Sequence, residues 1–489
     1  MSFILAVAGS FVAGLVLLGL LAAVSTPILQ RLGERFLGRM IRDRYTANVF
    51  SLVNAVRRLG PQTLGEIMLR AGSGGQVIQR PLGSPCHPSP WQDLMFTPAQ
   101  IVHAPLRSDA KVDLSVVVGP RAKRPLKVET PLLVAGMSFG GALAQDLKIA
   151  LARAANAAGT ATNTGEGFLP AERREAQRLI VQYHRGTWPM STQHHTQFLA
   201  SADAIEIQIG QGAQAAAPMR TPANLIRADQ RRLFGIAPGR DAVIESRLED
   251  VHGAQGLRRL VERLREAHGV PVGLKMAATD RLEEELDRLE DVPLDFLCLD
   301  GAEGGTHGGP PILQDDFGLP TLHAIARADR HLREAGRRRD LTLIASGGLH
   351  TPGTCLKAMA LGADACYLGT SVVVASIAQQ AARVAPWEPP YSMIFAAGGL
   401  RRAFSTRSAE QRIADFLRSS TAELAVGLQA LGKSRLRDLS RQDMIALTRQ
   451  TAALTGCRQP LAPDVESDVE APIFPPPFEH EAPRTSPLH

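Results

Sequence analysis

From Pro131 onward the chain repeats one theme: a short apolar run, a polar or glycine-rich turn, then a longer helical segment. The runs are Leu132–Met137, Thr160–Thr164, Leu179–Tyr183, Ala204–Ile209, Val272–Ala277, Phe296–Asp300, Leu341–Ala345 and Ala365–Leu368. Helical patterns separate most of them, including Ala142–Ala158, Leu257–Ala267 and Leu322–Ala335. An unbroken apolar strand is buried on both faces, the mark of a parallel sheet covered by helices. Eight such strands alternating with helices predict an α/β fold of the (β/α)8 TIM barrel type over about 129–400. The third strand has the weakest signature. The insertion after the fourth, about Gln211–Gly256, is long for a βα connection and is expected to shape an active site.

The stretch Thr342–Thr370 reads as an anion site of such a barrel or as a pair of ordinary βα turns. An apolar run ends in Ser346-Gly347-Gly348, Pro352 stands at a helix start, Gly362 ends that helix, and the next strand ends in Gly369-Thr370. Two turns without side chains thus lie at neighbouring strand ends, where backbone N–H groups and a helix N-terminus can hold a phosphate. Thr370 or Ser371 can add a hydroxyl.

Polar residues interrupt the strands at one parity only. Ile205, Ile207 and Ile209 alternate with Glu206, Gln208 and Gly210, which places Glu206 and Gln208 inside the barrel, facing either a ligand or an internal network. Val272, Leu274 and Met276 alternate with Gly273, Lys275 and Ala277. An inward lysine needs an anionic partner. It could stabilise a reduced flavin, form a Schiff base or make a core salt bridge. The loop Asp300–Pro310 has glycines enough for close approach to a flat ligand, with Asp300 or Thr306 to orient it, or for a mobile lid. His307 in this loop reads as a proton donor or simply as exposed. Glu166, in Asn163-Thr164-Gly165-Glu166-Gly167, could hold an ammonium or imine, move a proton, or be a surface turn residue.

Outside the barrel, Phe3–Val24 is almost wholly apolar, with no basic residue before it and five arginines between Arg31 and Arg44 behind it. This pattern predicts a transmembrane signal-anchor over 1–30, with the barrel on the cytoplasmic side. Residues 31–128 read as an irregular lead-in, with helical patterning near Ala47–Arg58 and an extended piece at Val112–Val118. Residues 401–457 read as a helical extension, and 458–489, rich in proline and acidic residues, as a disordered tail. The net charge of +6 comes with no basic stripe interleaved with aromatics, so a nucleic-acid partner is not expected. Five cysteines form no CxxC pair, which argues against structural zinc and fits a reducing compartment.

Taken in order, Gly136-Met137-Ser138-Phe139-Gly140, Asn163–Gly167, Ile205–Gln214, Lys275, Asp300–Thr306, Ser346-Gly347-Gly348 and Gly369-Thr370 resemble the FMN domain of glutamate synthase. The resemblance spans about Pro131–Ser371. It implies FMN across the barrel mouth, contacted by Gly136, Met137, Ser138, Gln208, Lys275, Ser346, Gly347, Gly348, Gly369 and Thr370. It implies catalytic roles for Lys275, Glu166 and Gln211, and substrate contacts from Glu166, Gln211, Asp300, Gly304, Gly305 and Thr306. The implied reaction is reduction of an imine such as 2-iminoglutarate, formed from 2-oxoglutarate and ammonia, to an amino acid.

The departures from the family are equally specific. No amidotransferase segment with its cysteine nucleophile is present, and 371–390 contains no cysteine, so no Fe–S cluster is expected. A separate electron donor and an ammonia-supplying protein are therefore the expected partners. Gln208 and Gln214 stand where typical members have lysine, which weakens the case for a dicarboxylate substrate. The alternatives are a flavoenzyme acting on another amine or a 2-hydroxy acid, and a non-catalytic flavin-binding membrane partner protein.

Overall fold

The computed structural model describes residues 23–42, 53, 56–57, 60–74, 76–86, 88–186, 193–249, 251–386 and 388–460. The chain divides into two units, Met1–Ile78 and Gln79–His489. In the first, a helix covers 23–42, and Pro61–Gly72 is a second helix with no buried residue. The predicted anchor Phe3–Val24 lies almost entirely outside the described residues, as do most of the helical pattern at Ala47–Arg58 and all of the tail beyond 460. Among the described residues no helix is long and apolar enough to cross a membrane.

The second unit is built on eight parallel strands: β1 (Leu132–Val134), β2 (Thr162–Asn163), β3 (Leu179–Tyr183), β4 (Ala204–Gln208), β5 (Val272–Ala277), β6 (Phe296–Asp300), β7 (Thr342–Ser346) and β8 (Ala365–Leu368). The sheet runs β1-β8-β7-β6-β5-β4-β3-β2. It nearly closes on itself, for Val134 N donates to Ala161 O at 3.0 Å just before β2. The weakly marked third strand forms over the predicted residues. The first two are shorter than predicted: β1 ends at Val134, and β2 loses residues at both ends.

Helices cover the outside, among them Gln145–Ala157, Gly253–His268, Thr321–Glu334, Pro352–Ala360 and Thr370–Ile377. Pro352 occupies the first turn with Thr351 as its cap, so the missing N–H of proline costs nothing there. The long helix Thr406–Ala430, capped by Ser405, packs on Gln145–Ala157, Pro352–Ala360 and Thr370–Ile377, bridging the first and last helices of the ring. The C-terminal extension is not wholly helical. Met444–Ala446 pairs antiparallel with Leu94–Phe96 from the lead-in. An antiparallel hairpin, Val116–Val118 with Leu126–Val128, leads into the barrel at the N-terminal ends of the strands, where Gly119 N donates to Thr342 Oγ1 at 3.1 Å. Apolar side chains of hairpin, barrel and extension share one core.

The insertion after β4 folds back as an antiparallel pair, Met219–Thr221 with Ala242–Ile244, around the helix Ala228–Phe234. Phe234 and Ile244 join Phe139 and Leu169 in a second apolar cluster at the C-terminal end of the barrel. That cluster fixes the insertion as one wall of a cleft.

Candidate active site

The strand alternation does point Glu206, Gln208 and Lys275 inward, and each has a protein partner. Glu206 is fully buried, accepting from Asn163 Nδ2 at 2.9 Å, Gln182 Nε2 at 2.8 Å and Tyr367 OH at 2.8 Å. A carboxylate with three donors needs no further partner. Glu206 therefore ties β2, β3, β4 and β8 together below the cleft, and the internal network is the correct reading. Phe296 fills the barrel beneath, over the bare backbone of Gly273.

Lys275 also points inward, with Nζ 3.4 Å from Asp300 Oδ2 and both side chains about 5% exposed. Burial works against the ammonium, yet Asp300 beside it holds its pKa above the ordinary lysine value. The rest of Asp300 is taken by the chain: Oδ1 accepts from Ser346 Oγ at 2.6 Å, and Oδ2 from Gly212 N at 3.0 Å. Gly212 has no room for a side chain, since a Cβ would strike the carbonyl of Gly301. Asp300 thus fixes Lys275, the β7 end and the start of the insertion, and its carboxylate is not free to orient a substrate.

Glu166 lies on the cleft wall rather than at the surface. Its Oε1 accepts from Gln208 Nε2 at 2.9 Å, and Gln208 Oε1 accepts from Arg185 Nε at 3.2 Å. Burial raises the Glu166 pKa, opposed by the Arg185 charge, the Gln208 hydrogen bond and Lys275. Gln208 is buried behind Glu166, is not among the residues lining the cleft, and links Arg185 to Glu166.

Lys148 is a residue the sequence reading missed. It is wholly buried, pairs with Glu172 Oε1 at 2.8 Å, and donates to the carbonyls of Met137, Asn163 and Thr164 at 2.8, 3.0 and 3.2 Å. One ammonium thus clamps the loops after β1 and β2 together. Burial lowers the Lys148 pKa and raises that of Glu172, each opposed by the other's charge. The signal lay in its helical neighbours: Lys148 shares a buried face with Leu147 and Leu151.

The opposite end of the cleft is formed by Gly347, Gly348, Gly369 and Thr370. Gly347 and Gly348 take φ values of 106° and 67°, a conformation that strongly favours glycine. Gly369 precedes the helix Thr370–Ile377, and a Cβ there would meet nothing nearer than Ala135 Cβ at 3.7 Å. The Ser371 hydroxyl at this helix start is buried without a partner in the chain.

The cleft between these groups holds about 1500 Å³ of space, part of it open to solvent. It brings together Gly136, Met137, Ser138, Glu166, Gln211, Lys275, Asp300, Gly305, Thr306, Ser346, Gly347, Gly348, Gly369 and Thr370. Gly304 is left out; it packs against Asp300 and Ala213 instead. Thr306 accepts from Gln214 Nε2 at 3.1 Å. His307 is not a freely exposed loop residue: its ring lies 4.6 Å from that of Phe395, and burial lowers its pKa. Gln182 and Tyr367 also reach the cleft, though their strands read only as core. Among the described residues no cluster of histidine, cysteine and acidic groups could hold a metal, and all five cysteines are free.

The conserved region of glutamate synthase matches residues 96–434. The chain is 32% identical over 417 residues to a glutamate synthase large subunit-like protein of Rhizobium meliloti, covering 80% of this chain and 92% of that one. It is 32% identical over 338 residues to an archaeal-type glutamate synthase [NADPH] of Thermotoga neapolitana, covering 64% of this chain and 66% of the relative. It spans about half of the related Thermotoga maritima protein, at 34% identity. With a match over more than half its length, on strands and turns that converge on one cleft, the chain belongs to the glutamate synthase family, in its FMN-binding domain.

Proposed function

We propose that this FMN-dependent oxidoreductase exchanges a hydride with the carbon of a CH–NH or C=N pair, reducing an imine to an amine or running the reverse. The residues fit FMN. Gly347, Gly348 and Gly369 line the cleft with bare backbone beside the start of the helix Thr370–Ile377, and this side-chain-free cradle is the observation that favours a phosphate. Gly136–Ser138 and Lys275 would hold the ring. When bound, FMN supplies the two-electron chemistry.

This chain's own residues do the rest. Lys275, fixed by Asp300, keeps a positive charge on the cleft floor. Glu166 takes a proton from the substrate nitrogen in the amine direction and returns it in the imine direction. Its burial-raised pKa suits it to both. Gln211 lies on the cleft wall to position the nitrogen. The insertion, packed on Phe139, shields the site from water.

Electrons would come from a separate donor, because 371–390 carries no cysteine for a cluster and no GxGxxG motif is present. The NADPH in the relatives' names would then act through that donor. The apolar run at 3–24 would tether the enzyme to a membrane, which fractionation of cells expressing the full chain tests. The test of the reaction is the visible spectrum of the purified full-length protein, followed by photoreduction and addition of 2-oxoglutarate with ammonia or of preformed imines. A flavin spectrum and reoxidation by an imine are expected. A colourless protein that takes up no added FMN, or a reduced flavin that no imine reoxidises, would overturn the reading.

A further inference from the structure

Resting on that reading, we infer that the cleft selects an amine with an apolar body, held as its ammonium or imine N–H by Glu166, and not a dicarboxylate. The cations decide the point. Among the described residues lining the cleft, Lys275 is the only lysine and there is no arginine. Lys275 is already paired with Asp300 at 3.4 Å. His307 packs on Phe395, and burial disfavours its charged form. His350 follows the Gly347–Gly348 turn, at the end suited to the cofactor phosphate. Arg185 is 3% exposed behind Gln208, with Nε on Gln208 Oε1 and an Nη on Ala216 O at 3.3 Å. A dicarboxylate would place two negative charges beside Glu166 and Asp300 with no unpaired lysine or arginine to receive them, and a desolvated charge without a partner is expelled.

The remaining polar groups ask for a donor. Glu166 has one oxygen on Gln208 and its other side turned to the cleft. The side-chain Oε1 of Gln214, a residue on the cleft wall and 3% exposed, is buried without a partner. Glu166 is the acceptor on the cleft wall that matches an ammonium or an imine N–H.

The insertion supplies the apolar half. Met219, Ile226, Phe234, Ile236 and Ile244 line the cleft on its side, and none of them can bond a carboxylate. Such a wall rewards hydrocarbon at about 25 cal/mol per Å² buried and penalises a second charge.

The test is ligand binding to the full-length protein as purified, by thermal shift and by perturbation of the flavin absorbance. The probes are 2-phenylethylamine, hexylamine, 2-oxoglutarate and L-glutamate. Both amines should bind at least roughly tenfold tighter than either dicarboxylate. Glu166→Gln should weaken the amines about 30-fold while leaving the flavin spectrum in place. Ile226→Asn and Ile236→Asn, at half-buried positions, should weaken hexylamine about tenfold each. Stronger binding of 2-oxoglutarate, or amine binding indifferent to Glu166, overturns the ligand class while the redox reading stands. A protein that stays colourless overturns the redox reading instead, and thermal shift still ranks the ligands.

Discussion

Gln208 Nε2 donates to Glu166 Oε1 at 2.9 Å, so a carboxylate on the cleft wall is held by a side chain that is not among the described residues lining the cleft. The bond lowers the Glu166 pKa against the burial that raises it. Gln208→Met removes the lowering contribution. The acidic limb of a kcat/KM profile, where Glu166 ionises, should then move to higher pH. Glu166→Gln should abolish that limb. A limb that stays in place in both variants would show that another group titrates.

Lys275 and Asp300 form a buried pair in which each is costly alone. Lys275→Met leaves the Asp300 carboxylate without its cation, at a cost of roughly 3 kcal/mol in unfolding free energy. Adding Asp300→Asn removes the stranded charge and should recover a large part of that loss in urea unfolding. Equal losses in the single and double variants would mean that the pair is not coupled.

Lys148 acts on the site without touching the cleft. The double variant Lys148→Met with Glu172→Gln leaves no buried charge, yet it unties Met137, Asn163 and Thr164. It should fold and bind FMN about tenfold more weakly, as read by quenching of flavin fluorescence. Unchanged affinity would reduce Lys148 to a stabiliser of the core.

Two glycines separate fold from binding. Gly212→Ala drives a methyl into the Gly301 carbonyl and breaks the bond to Asp300, and it should cost more than about 3 kcal/mol or prevent folding. Gly369→Ala meets only Ala135 at 3.7 Å and should change stability by about 1 kcal/mol or less. Its methyl stands in the proposed phosphate cradle, so FMN binding should fall roughly tenfold or more. Normal FMN affinity in Gly369→Ala would place the phosphate elsewhere.

The sequence by itself determined the barrel, because covalent period and burial act locally. Val272–Ala277 alternates apolar and small or polar residues, so Lys275 could only point inward, and the glycine turns at 346–348 and 369–370 mark where backbone must be bare. Partnership was the part that only the tertiary structure decided. Glu206 reads like a ligand residue until Asn163, Gln182 and Tyr367, from three other strands, are seen to satisfy it. Lys148 is unremarkable in its helix until it meets Glu172 and two loops. Arg185 gains meaning only through Gln208. A buried charge takes its role from whatever faces it across the core, and those neighbours lie tens to hundreds of residues away along the chain.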